Sequence, residues 1–94
     1  MIARGINIYE DNEENLKLSL NLRNLAAKMQ KDINDLITEL KRHECEETEI
    51  EFGLKFYLTK FLNDNPSLKS SYIFRVECIK ENNNIYYEIV IEEK

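Results

Sequence analysis

Hydrophobic and polar positions change period along the chain, and each change marks an element. Ile6 and Ile8 alternate with polar neighbours. Further on, Leu16, Leu18, Leu20 and Leu22 point to one side of an extended segment while Lys17, Ser19 and Asn21 point to the other. Period-2 alternation is the mark of a half-buried strand, so the first twenty-two residues predict two strands. The polar, turn-rich "YEDNEEN" between them predicts a hairpin loop of about four to six residues.

From Leu22 the spacing becomes three and four. Leu22, Leu25, Met29, Ile33, Leu36, Ile37 and Leu40 fall within one arc of roughly 120° on a helical projection. They predict an amphipathic helix over about residues 23–43, with Asn21 or Asn24 as its cap and no Gly or Pro to interrupt it. The next segment admits two periods. As a strand, Ile50, Phe52, Leu54 and Phe56 alternate. As a helix, Ile50, Leu54, Tyr57, Leu58, Phe61 and Leu62 share a face and leave Phe52 and Phe56 outside it. The pattern persists through Leu62 and a cap precedes it, which favours a helix over about residues 49–63, stopped by "NDNPS" because the residue before Pro is pushed out of helical geometry.

The last third alternates throughout. Tyr72, Phe74, Val76 and Cys78 share one face, Ile85, Tyr87, Ile89 and Ile91 share another, and "ENNN" separates the two runs, which predicts a second hairpin. The expected fold is therefore α+β, a two-layer sandwich of order ββααββ. Its two hairpins form a four-stranded antiparallel sheet covered on one face by two helices. The uncovered face would show Ile73, Arg75, Glu77 and Ile79 beside Tyr86, Glu88, Val90 and Glu92.

Composition narrows the class. At 94 residues a single domain, 1–94, is expected, and an apolar fraction of 43% with two Gly and one Pro is that of a folding chain. The net charge of -5 disfavours nucleic acid and anionic membranes and favours a partner with a basic surface. The longest apolar runs fall far short of the ~20 residues of a membrane-spanning helix. Cys45 and Cys78 lack a disulfide-framework spacing, and no secretory pattern opens the sequence, so a reducing cytoplasm is the expected compartment.

The densest chemistry is in "KRHECEETEIEFG", residues 41–53, which holds the only His. His43-x-Cys45 supplies two of the three or four ligands that a zinc site needs, and residues at i and i+2 on a helix do not face each other as a Cys–His catalytic pair must. No GxSxG, GxGxxG, HExxH or phosphate-loop pattern occurs elsewhere. The expectation is a non-enzymatic protein without metal or cofactor. The same stretch reads as a joint between helices: Lys41, Arg42 and His43 meet the negative end of one dipole, and the glutamates that follow meet the positive end of the next. Thr48 and Glu51 have the spacing of a capping box.

Apolar groups beyond the needs of one core then suggest association with a second copy or a partner. The expected surface combines Phe52 and Phe56 with Glu44, Glu46, Glu47, Glu49 and Glu51. It would suit an adaptor or an inhibitor of a basic target, a role common among accessory proteins of phages, viruses and mobile elements. An alternative rests on "LKLSLNLRNLAAKMQKDINDLITELKR", which faintly resembles the strand-then-helix order of dimeric ribbon-helix-helix DNA-binding regulators. That resemblance implies base reading by Lys17, Ser19 and Asn21, with Arg23, Lys28 and Lys31 on a basic helix stripe. The sequence departs from that pattern in the short span before "DINDLITELK", the absence of Gly at the turn, and the sign of the net charge.

Overall fold

Residues 1–94 are described by a computed structural model. Its elements are β1 (Ile2–Arg4), α1 (Glu13–Leu16), α2 (Leu20–Arg42), α3 (Glu47–Asp64), α4 (Pro66–Ser71), β2 (Tyr72–Glu81) and β3 (Asn84–Glu93). The class is α+β. The sheet has three antiparallel strands in the order β1-β3-β2, so the four-stranded ββααββ arrangement is replaced by a sheet with only one hairpin.

The difference lies in the first twenty-two residues. Leu16, Leu18, Leu20 and Leu22 do not share a face: Leu18 and Leu22 are buried, whereas Leu16 and Leu20 are exposed. Leu18 and Leu22 are four residues apart, a helical spacing hidden inside the alternation. Two side-chain caps decide for helix. The Asn12 amide oxygen accepts from the Asn15 N–H at 2.8 Å and opens α1, and Ser19 Oγ accepts from the Leu22 N–H at 3.1 Å and opens α2. Each cap satisfies a backbone donor that the first turn of a helix cannot pair internally. Helix α2 thus starts three residues before the expected 23, capped by Ser19 rather than by Asn21 or Asn24.

Three predicted elements are present with shifted ends. Helix α2 buries Leu22, Met29 and Ile33 of the expected stripe, and α3 spans 47–64 rather than 49–63 and buries Ile50 and Leu54. The C-terminal hairpin pairs Phe74 with Ile91, Val76 with Ile89 and Cys78 with Tyr87. Its turn is Asn82-Asn83, both at positive φ (49° and 68°), the geometry that matches strand twist and that Asn tolerates. The core lies between α2, α3 and one face of this sheet, centred on Met29, Ile33, Leu54, Ile89 and Ile91. Pro66 at the start of α4 ends α3 and adds a short helix that the alternation did not announce.

A charge network crosses the middle of the sheet's other face, while Ile73 and Tyr86 remain exposed on it. Arg4 and Arg75 sit on either side of Val90 in one row across the three strands. Arg4 Nη1 donates to Glu77 at 2.8 Å and to Glu88 at 3.2 Å, and Arg75 reaches Glu77 at 3.0 Å and Glu92 at 3.1 Å. This lattice lies across β3, and Val90 and Glu88 are buried on the face expected to be open.

No helix is long and apolar enough to cross a membrane.

Candidate functional site

The joint between α2 and α3 sets the geometry of the proposed surface. Helix α2 ends in a Schellman motif: the Cys45 N–H donates to Leu40 O at 3.1 Å and the Glu44 N–H to Lys41 O at 3.0 Å. Glu44 sits at φ 59°, the left-handed position where Gly is the usual residue. Two residues later α3 begins with Glu46 as its cap, and the Glu49 carboxylate accepts from the Glu46 N–H at 3.1 Å. The capping box is Glu46/Glu49, two residues before the expected Thr48/Glu51, and Thr48 lies inside the helix. His43 and Cys45 share no hydrogen bond. His43 Nε2 lies 3.2 Å from Glu39, and Cys45 is half-buried.

Helix α3 then packs beside α2 at close range. Gly53 permits the approach, because a Cβ there would lie 2.9 Å from Leu40 Cδ1. Tyr57 Oη donates to Asp32 at 3.0 Å and ties the two helices together. Burial of the ring, helped by that carboxylate, pushes the Tyr57 ionisation well above its ordinary value. Along the seam Leu36 and Leu40 of α2 and Tyr57 of α3 line an open apolar groove with Cys45 at one end. Its outer wall is Phe52 and Phe56, one turn apart and 75% and 69% exposed. Glu49 and Lys60 mark its two ends.

The seven residues expected to act together are therefore divided between two flanks of α3. Phe52, Phe56 and Glu49 border the groove, and Glu44 and Glu46 stand at the adjacent joint. Glu47 and Glu51 face the other way, toward Cys78 of β2. The helical period separates them: positions 47 and 51 share a face, and positions 49, 52 and 56 share another. The groove residues Leu36, Leu40 and Tyr57 were legible only as part of the apolar stripes, which do not tell a helix seam from a core.

The residues of the DNA-binding alternative do not lie on a strand. Lys17 follows α1, the Ser19 hydroxyl is engaged in capping, and Asn21 and Arg23 belong to the first turn of α2. Lys28 pairs with Asp32 at 3.2 Å and Lys31 with Asp35 at 2.8 Å, so much of the basic stripe is neutralised on its own helix.

Comparison with known proteins finds no matching family, no similar curated protein and no similar solved structure.

Proposed function

We propose that the chain is a non-enzymatic protein-binding module, and that its docking surface is the α2–α3 groove walled by Phe52 and Phe56. The observation that carries this reading is the exposure of those two rings, 75% and 69%, side by side over an apolar floor. An apolar groove between two helices is the kind of surface that receives an amphipathic helix, and large exposed aromatics at its rim are the side chains that dominate interface energies. The occupant is an amphipathic segment of another protein with basic residues beside its apolar face. Glu44, Glu46 and Glu49 cluster at the joint end of the groove, and the net charge of -5 makes a second copy electrostatically the poorer fit. The protein would act as an adaptor or inhibitor, by occupancy and without chemistry of its own.

The test uses wild-type protein and the Phe52→Ser/Phe56→Ser double variant as paired baits in extract of the native host, with circular dichroism to check the fold. A partner held by the wild type, lost from a folded double variant and released by salt supports the reading. Equal capture by both, or an unfolded double variant, overturns it. A wild-type mass of twice the monomer by light scattering would assign the groove to a second copy instead.

A further inference from the structure

On the flank of α3 away from the groove, three metal-ligating side chains from two elements converge. Glu47 and Glu51 lie one turn apart in the first turns of α3, and Cys78 projects from β2. One carboxylate oxygen of each Glu and the Cys78 Sγ all lie within 4.8 Å of one another. Little offsets the two carboxylates. Lys80 approaches Glu47 at 3.9 Å, and Glu51 makes no ion pair.

A fourth group gives the cluster a direction. Tyr87 is the cross-strand partner of Cys78, is only 6% exposed, and its hydroxyl is buried without a hydrogen-bond partner. Tyr87, Cys78 and Glu51 line one cavity between α3 and the sheet, so the buried hydroxyl sits beside two of the three groups.

We propose that Glu47, Glu51 and Cys78 form a binding site for a borderline divalent cation, Zn²⁺ in the first place, with the Tyr87 hydroxyl bonded to the water that completes its coordination. The donor set selects the metal. A thiolate disfavours Mg²⁺ and Ca²⁺, two carboxylates disfavour Cu⁺, and three protein ligands with one open position is an established tetrahedral zinc arrangement. Bonds of about 2.0–2.3 Å place tetrahedral ligand atoms roughly 3.3–3.7 Å apart, so exposed side chains need to close by about 1 Å. Binding displaces the thiol proton to solvent and exchanges the repulsion of two carboxylates for a shared cation. It also ties α3 to β2.

The test uses the full-length reduced chain, stripped with chelator, and titrates Zn²⁺ by calorimetry and Co²⁺ by its thiolate-to-metal charge-transfer absorption. One equivalent should bind with the charge-transfer band present. Cys78→Ser should abolish the band, Glu51→Gln should weaken Zn²⁺ binding at least tenfold, and Tyr87→Phe should weaken it several-fold at unchanged stoichiometry. Cys45→Ser is the control and should leave the band intact. Cys78 and Glu51 are exposed, so folded variants are expected, and circular dichroism checks each. The absence of saturable binding, a band that survives Cys78→Ser, or a band lost in Cys45→Ser would each overturn the assignment.

Discussion

Gly5 and Gln30 are fitted to each other across the edge of the sheet. The Gln30 amide completes the β3 ladder where β1 ends: its Nε2 donates to Tyr87 O at 2.9 Å and its Oε1 accepts from the Ile89 N–H at 2.9 Å. Gly5 closes the row beside it by donating to Ile89 O at 2.9 Å. A Cβ at Gly5 would lie 2.5 Å from Ile89 Cγ2 and 2.8 Å from Gln30 Cβ, and closer still to Gln30 Oε1. One helix side chain thus does the work of a strand residue, and only a residue without a side chain fits next to it.

Gln30→Leu should therefore cost about 2–4 kcal/mol, because it leaves a buried N–H and a buried C=O without partners. Gly5→Ala should cost about 1–3 kcal/mol by overpacking. Urea denaturation measures both. Losses below about 0.5 kcal/mol would show that this stretch of β3 is reached by water.

This pair also explains which parts of the fold were legible in the sequence. Helices α2 and α3 and the C-terminal hairpin announce themselves because their apolar residues meet one core and so keep one period. The N-terminal region does not, because Leu16 and Leu20 are exposed and only Leu18 and Leu22 carry the helical spacing into the core. The fourth strand is absent because the Asn12 and Ser19 caps turn that stretch into helix, and Gln30 then continues the β1 edge along β3, which a single polar residue in a helix stripe does not announce. Phe52 and Phe56 stood out as candidates because they break the α3 stripe. The approach of Cys78 to Glu51 depends on how a helix settles on a sheet, which no local pattern records.

Glu44 should be replaceable with gain. It holds the left-handed position that closes α2, where a side chain costs about 1 kcal/mol or more and Gly is free of that cost. Glycine returns part of the gain through the greater freedom of the unfolded chain. Glu44→Gly should raise stability by about 0.5–1 kcal/mol, seen as a higher thermal midpoint. A lower midpoint would mean that the carboxylate at this joint makes a stabilising interaction that outweighs the backbone strain.

Alkaline stability should report the burial of Tyr87. Its folded value is raised from 10.0 to about 12, so below pH 10 both folded and unfolded forms hold the proton and its contribution is complete. Above pH 10 the unfolded chain releases that proton first, and stability falls by about 1.4 kcal/mol per pH unit until the folded hydroxyl also ionises. Tyr87→Phe should remove this component. Chemical denaturation at pH 9, 10 and 11 should give a steeper decline for the wild type, and parallel declines would show that the hydroxyl is solvated.

Acid should reveal the charge lattice on the opposite face. The guanidinium of Arg4, and after it that of Arg75, hold the Glu77 carboxyl below its ordinary value of 4.5. The folded state therefore binds this proton less readily than the unfolded one. The contribution is present above the ordinary value and is lost as pH falls through the depressed one. Because Glu77 and both arginines are partly exposed, salt should weaken the effect. Thermal midpoints from pH 5 to pH 3 should fall further for the wild type than for Glu77→Gln, and the gap should narrow in high salt. Superimposable curves would mean that the Glu77 carboxylate adds nothing to the stability of the lattice.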